Sequence, residues 1–334
     1  MEGVSGLMQN AYGIAAPVVS KIKVPSHNKI YKVDAGSAAY AVKVYSDINF
    51  TPLKKGSKTA HIHYESAILD RLEQCDVPII PVCRDGGGRA IHDVGSLKAM
   101  VFRYVEGAYF DHSPEQIARS AEVLARVHRC LPLNAVPLND FDYSAFLAFW
   151  LARLDALCKE RRFAECIPDG GGILEAARQV RRWHDQANQW PDLVWIHGHG
   201  DVNPRNYIYR EASAFLFDFQ ASRRMPRLGD VADGMVEFGI AEAALMPDRM
   251  ERFLRAYEAV YPLTGIEREC LDAFLLADCM IKVVSSLQSD IYFGYKVNMP
   301  RMRALLDFCS TLSAPGKPTL HDVAAEAAET VPPR

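Results

Sequence analysis

In residues 1–105 apolar and polar positions alternate in short runs. Residues 18–24 alternate loosely and lead into Pro25-Ser26-His27-Asn28, a turn composition. Residues 29–33 and 39–45 read as two further strands, joined by Asp34-Ala35-Gly36-Ser37 as a hairpin turn. The period changes at residues 62–74, where Ile62, Ile68, Leu69 and Leu72 fall at helical spacing. Residues 77–82 and 90–94 flank Asp85-Gly86-Gly87-Gly88, a second hairpin signal. Residues 99–105 close this part as an apolar strand running into Glu106-Gly107.

Beyond that point the pattern is helical. Ser113-Pro114-Glu115-Gln116 is a helix start, with Ser as N-cap, Pro at the first position and Gln three residues after the cap. Ile117, Ala121, Leu124 and His128 then share one face. Helices are expected over residues 143–158, 172–188, 230–245, 247–260, 266–288 and 298–312. Strands are expected only over 193–196, 207–209 and 215–219. The class is α+β. A β-rich region, 1–105, is followed by a mainly helical region, 106–313. The Pro- and Ala-rich tail, 314–334, is expected to be loosely ordered.

Composition narrows the function classes. The chain has 334 residues, 49% of them hydrophobic and 24% charged, which excludes disorder for most of its length. Length alone suggests about two domains. The balance of 38 basic against 41 acidic residues argues against a nucleic-acid binder built on a global basic field. No uncharged apolar run reaches the ~18 residues of a membrane span. The N-terminus opens with Glu2, and its apolar stretch is broken by Gly13 and Pro17, so export is not expected. Eight cysteines without a C-x-x-C pair read as buried thiols of a cytoplasmic protein. A monomer and a homodimer are both compatible with the sequence.

The chemistry concentrates in residues 194–220. His199, Asp201 and Asn206 form H-x-D-x-x-x-x-N, and Asp218 follows 12 positions after Asn206. A strand–turn–strand connection of that length can return Asp218 to the side of Asn206. One free carboxylate beside an Asn/Asp pair suits phosphoryl transfer: one Asp orients or deprotonates a hydroxyl, and the pair offers oxygens to Mg²⁺.

These residues resemble the aminoglycoside phosphotransferase and choline kinase-like small-molecule kinases, which share the protein-kinase fold. His199-Gly200-Asp201 and Asn206 match the H-G-D-x-x-x-x-N loop. Phe217-Asp218-Phe219-Gln220 matches the metal motif, and Gly229-Asp230 with Asp233 matches a following G-D-x-x-D. Residues 101–107 and Leu124-Ala125-Arg126-Val127-His128 are similar to the hinge and to an L-A-x-L-H helix. The resemblance implies two lobes around one nucleotide cleft, with a hinge beginning near 103. It implies ATP, with GTP as the alternative, and Mg²⁺. Asp201 would be the base, and Asn206 and Asp218 the metal ligands. Adenine would meet Arg103, Tyr104, Val105 and Glu106 through backbone groups. His199, Asp230 and Asp233 would support the loop.

A kinase also needs a strand Lys for the phosphates and a helix Glu to pair with it. Tyr40-Ala41-Val42-Lys43-Val44-Tyr45 is close to V-A-I-K, and Glu65 lies in the next helix, which selects Lys43 and Glu65. The loop at residues 24–31 lacks the glycines of G-x-G-x-x-G but fits a G-x-x-N-x-x-Y form at Asn28 and Tyr31. Ser26 and Asn28 are its candidate phosphate donors.

Rival readings fare worse. His197-x-His199-x-Asp201 could open a dinuclear zinc site, but that pattern continues with His after the Asp, and residue 202 is Val. No glycine run precedes G-K-[S/T], and there is no G-x-S-x-G. A kinase-fold protein that binds nucleotide without catalysis would be expected to lack part of the Lys43, Glu65, Asp201, Asn206 and Asp218 set. The acceptor is expected to be a small hydroxylated molecule. The first choice is an antibiotic of aminoglycoside or other type, and the alternative is a choline-, homoserine- or sugar-like metabolite. Residues 231–312 carry 12 acids against 8 bases, a mild excess that would suit a cationic acceptor. Asp290, Tyr292 and Tyr295 are candidates for its wall. Arg205 is placed either at the transferring phosphoryl group or in solvent.

Overall fold

The computed structural model describes residues 1–23, 28–46, 58–137, 143–185, 192–241 and 244–314. Two of the sequence expectations, the phosphate donor Ser26 and the tail after Ala314, lie outside these residues.

The chain begins with a helix that the strand pattern did not announce, α1 (Glu2–Tyr12), ended by Gly13 at φ 69°. Strands β1 (Val18–Ile22), β2 (Lys29–Ala35) and β3 (Ala38–Val44) follow. Helix α2 (Lys58–Gln74) comes next, then β4 (Val82–Cys83), β5 (Ile91–Val94) and β6 (Leu97–Arg103). They form one antiparallel sheet in the order β1-β2-β3-β6-β4, with β5 on β6. Successive residues of a strand face opposite sides. Val42 and Val44 of β3 therefore join Val33, Val101 and the α1 residues Val4, Leu7 and Met8 in one core. Tyr45 and Met100 join the α2 residues Ile68, Leu69 and Leu72 in the other. Lys43, between Val42 and Val44, points to the α2 side, which the period of 2 requires.

The strand expected over 77–82 is mostly absent. Pro78 and Pro81 have no N–H to donate to a ladder, and only Val82 and Cys83 pair with β6. Ile79 instead bridges to Leu216 in the second half of the chain.

The helical region contains α3 (Pro114–Cys130), α4 (Tyr143–Leu157), α5 (Arg161–Cys166) and α6 (Gly171–Asp185). Four short strands follow: β7 (Trp195–Gly198), β8 (Tyr207–Arg210), β9 (Ser213–Leu216) and β10 (Arg223–Pro226). The chain continues through α7 (Arg227–Gly239), β11 (Ile240–Ala241), β12 (Ala244–Leu245), α8 (Pro247–Val260), α9 (Gly265–Phe293) and α10 (Met299–Ser313). Ser113 caps α3 as expected, its side chain accepting from Gln116 N–H. Helix α9 opens on a capping box between Thr264 and Glu267 and ends at Gly294, φ 68°. Helix α7 runs through the core and is buried at every position except Glu237. Its Arg227 is enclosed with Glu267 of α9, at 2.8 and 2.5 Å, and with Pro262 O at 2.7 Å. Such a pair is placed by packing and costs heavily if one half is removed. Among the described residues no helix is long and apolar enough to cross a membrane.

Candidate active site

Strand β7 delivers the chain to a loop whose backbone is held mainly by side chains. Asp230, in the first turn of α7, accepts from His199 N–H at 2.5 Å, Gly200 N–H at 2.8 Å and His128 Nε2 at 3.1 Å. One turn on, Asp233 accepts from Val202 N–H at 2.6 Å. Burial pushes the Asp230 carboxyl up, but His128, His199 and Gly200 outweigh it, leaving Asp230 below its usual range. The His199 ring is spent on the loop: Nδ1 accepts from Asp201 N–H at 3.2 Å, and Nε2 donates to Phe217 O at 3.0 Å. Gly200 has φ 79°, and a Cβ there would sit 2.4 Å from Ala221 O. Only glycine fits that turn.

This frame presents Asp201 with its carboxylate exposed and both oxygens aimed. Oδ1 accepts from Asn203 Nδ2 at 2.8 Å, and Oδ2 from Asn206 Nδ2 at 3.0 Å. Asn206 Nδ2 also reaches Asp201 O at 2.8 Å, so Oδ1 is the end of Asn206 left for another partner. The β8–β9 hairpin closes in register Tyr207↔Leu216, and Phe217 N–H donates to Asn206 O at 3.0 Å. That bond returns Asp218 beside Asn206, as the spacing requires. Asp218 takes a left-handed conformation, φ 68°.

Three chain segments meet at Lys43. Its Nζ lies 2.6 Å from Asp218 Oδ1 and 3.1 Å from Glu65 Oε1, while Tyr45 O–H donates to Glu65 Oε2 at 3.0 Å. Burial alone would push the Lys43 ammonium down. The Asp218 and Glu65 carboxylates outweigh it and hold Lys43 above its usual range.

Asn28 does not stand free for a phosphate. Its Nδ2 donates to Gln220 Oε1 at 2.5 Å, and its Oδ1 accepts from Ser46 N–H at 3.1 Å. Gln220 O in turn contacts His61 Nε2 of α2. In the connecting segment, Arg103 N–H is bound to Pro81 O and Tyr104 N–H to Ala39 O, each at 3.0 Å. The backbone donors that could meet an adenine therefore narrow from four residues to Val105 and Glu106. Gly107 follows, where a Cβ would lie 2.4 Å from Ile208 Cγ2.

A cavity of about 980 Å³ opens beside Asp201. Tyr143, Phe146 and Trp150 of α4 form one wall, with the Arg223 guanidinium 4.0 Å from the centre of the Phe146 ring. Exposed Arg205 lies at its edge. Asp290, Tyr292 and Tyr295 are not part of it. Asp290 pairs with Arg162 at 2.7 Å, and Tyr292 lies under Arg153, 4.4 Å from its ring centre. Tyr295 is exposed, 62%. The cause is length. Asp290 is eight residues beyond Lys282 on α9, about 12 Å at ~1.5 Å per residue. The cavity lining on α9 stops at Ser286.

A family model, the phosphotransferase enzyme family, matches residues 19–269. The chain belongs to that family. Among solved structures it is similar to an aminoglycoside phosphotransferase from Alicyclobacillus acidocaldarius (14% identity, 96% of each chain, TM-score 0.67). It is also similar to a spectinomycin phosphotransferase in complex with ADP and spectinomycin (14%, 98% of each chain, TM-score 0.64). A third is a choline kinase from Streptococcus pneumoniae (15%, 93% of this chain and 97% of that one, TM-score 0.63). A comparison with curated proteins finds no match. The phosphotransferase has the protein-kinase-like fold and is a small-molecule kinase.

The donor set of this phosphotransferase fits a hard cation. Asn206 Oδ1 and the Asp218 carboxylate are oxygen ligands of the kind Mg²⁺ takes, and Mg²⁺ needs only one or two from protein when phosphates supply more. Among the described residues no three His, Cys, Asp or Glu gather as a metal cluster. Reading the sequence missed Asn203, whose signal was an amide two residues after the Asp. It also missed Tyr45, which alternation puts on the Lys43 face, and Lys282, whose local signal was Asp278 four residues earlier.

Proposed function

We propose that this phosphotransferase carries the γ-phosphate of ATP to a hydroxyl of a small molecule in the cavity beside Asp201. One observation carries the reading. An exposed carboxylate, fixed at both oxygens by Asn203 and Asn206, borders that cavity. Lys43 holds the α- and β-phosphates and is positioned by Glu65. Asn206 and Asp218 hold Mg²⁺, which when bound neutralises charge on the phosphates. Val105 and Glu106 receive the base. The acceptor oxygen bonds to the γ-phosphorus as the bond from γ-phosphorus to the β–γ bridging oxygen breaks. Asp201 orients the hydroxyl throughout and takes its proton late, because positioning dominates a loose transition state. His199, Asp230 and Asp233 keep the loop in place. GTP is the alternative donor.

The acceptor is read as a hydroxylated antibiotic, a reading supported by the spectinomycin and aminoglycoside phosphotransferases among the similar structures. The choline kinase supports a metabolite as the second reading. The test is a panel of hydroxylated antibiotics and metabolites with Mg-ATP or Mg-GTP, read by the mass shift of a phosphoryl group. Asp201→Ala is expected to lose transfer by about 10²–10⁴-fold while still binding nucleotide. Asp218→Ala should lose both. Full turnover by Asp201→Ala sinks the assignment.

A further inference from the structure

The floor of the acceptor cavity is already supplied with cations. Asp233 and Glu237 of α7 and Asp278 of α9 surround Lys282 Nζ. Asp233 is in direct contact, Glu237 lies at 2.9 Å and Asp278 Oδ2 at 3.4 Å. Arg301 of α10 pairs with Glu237 at 2.5 Å. All five line the cavity. Burial pushes Asp278 up to about 8 against the pull of Lys282. Burial raises Asp233 as well, to about 6, against the same pull. For Glu237, Lys282 and Arg301 outweigh burial and hold it below its usual range. Each of the three carboxylates on the floor is thus already faced by a resident cation.

The other carboxylates of the lining are engaged as well. Asp230 is fully enclosed by its donors. Asp201 is reserved for the hydroxyl. Arg205, exposed beside it, makes no ion pair among the described residues. The α4 wall is aromatic and would draw a cation, but its Phe146 face already holds the Arg223 guanidinium, 4.0 Å from the ring centre, and Trp150, 8% exposed, keeps a buried indole N–H without a partner among the described residues. A buried donor of this kind is satisfied by a neutral or anionic oxygen, not by an ammonium.

We propose that Lys282 occupies the place a cationic group of the acceptor would fill. The acceptor is therefore a hydroxyl compound that is uncharged or acidic, and Lys282 determines that choice. The proposal rests on the kinase reading above. Repulsion by a resident charge is a means of specificity separate from any attraction. It also reverses the expectation drawn from the acid excess of residues 231–312, since those acids in the cavity are matched from within, and among the antibiotic and metabolite acceptors above it selects those without a free cationic group.

The test is calorimetric titration of the full chain, loaded with Mg-AMP-PNP, with two probes. One is kanamycin, a polycation, and the other its per-N-acetylated, uncharged form. Wild type is expected to bind kanamycin at least tenfold more weakly than the uncharged form, or not at all. Lys282→Met is expected to gain at least tenfold in kanamycin affinity, whether or not wild type binds either probe. Lys282→Gln, which keeps a hydrogen-bonding end, should show the same gain and serves if the Met variant does not fold. Kanamycin binding to wild type as tightly as the uncharged form overturns the proposal. So does a Lys282 variant with no gain. Mg-AMP-PNP affinity and phosphoryl transfer are read separately. A protein that transfers to no acceptor fails as a kinase, while the titrations still decide the role of Lys282.

Discussion

Asp230→Ala tests how the loop that carries Asp201 is held. The substitution removes one buried carboxylate and strands three donors: the N–H groups of His199 and Gly200 and the His128 ring. Hydrogen bonds to a charged group contribute about 1.5–3 kcal/mol each, but the sum is reduced because the variant no longer buries a carboxylate. Removing one partner of a buried charged network costs about 3–5 kcal/mol. At ~2 °C per kcal/mol for a chain of this size, Tm should fall by about 8 °C. The loop carries Asp201, and a shift of ~1 Å there costs about 10²-fold in kcat. The acid profile supplies a second readout. Asp230 is held below the usual carboxylate range, so its contribution is full above the unfolded pKa of ~3.9 and is lost as pH falls through the folded value. The Tm gap between wild type and variant should therefore narrow below pH ~4. Differential scanning fluorimetry from pH 3 to 8 and a coupled ADP-release assay measure both effects. A variant with Tm within 2 °C of wild type and unchanged kcat would refute the reasoning.

Three further outcomes are expected. Gly200→Ala puts a methyl 2.4 Å from Ala221 O at φ 79°, and should cost about 2 kcal/mol in a denaturant melt together with most activity. Asn203→Ala frees Asp201 Oδ1, so kcat should fall roughly tenfold while ATP affinity holds, as separate kinetic and binding titrations would show. Asp278 has a folded pKa of about 8 against ~3.9 unfolded. The folded state binds more protons across that window, so wild-type stability falls as pH rises through it. Asp278→Asn removes this dependence. Its Tm relative to wild type should be higher at pH 9 than at pH 6, and an equal gap at both would count against the buried carboxyl.

Legibility followed the range of the interactions. Lys43 could be read because β3 alternates, and its orientation toward Glu65 is a consequence of period 2. His199, Asp201, Asn206 and Asp218 could be read because one loop and one hairpin bring them together within twenty residues. Helix α1 was hidden because two glycines dilute its apolar positions, and only the sheet face beneath it stabilises it. Residues 77–81 carried strand-like side chains on a backbone that two prolines keep out of the ladder. Lys282 lies 49 positions from Asp233, and its local partner Asp278, one turn earlier, reads as an ordinary helix pair. Residue type singles out Asp290, Tyr292 and Tyr295, whereas the length of α9 carries the first two past the cavity and Tyr295 lies beyond the helix end.

Helix α1 gives the nucleotide side of this protein a remote dependence. Val4, Leu7 and Met8 cover the face of β2, β3 and β6 opposite to the one that carries Lys43. Tyr12 O–H ties the helix end to Cys83 O at 2.9 Å and to His92 at 3.0 Å. Trimming these first twelve residues would touch no group that meets phosphate. It would leave a single-sided sheet, wetted where Val33, Val42 and Val101 are now dry. The site would then lose its alignment through the back of the strand that displays Lys43.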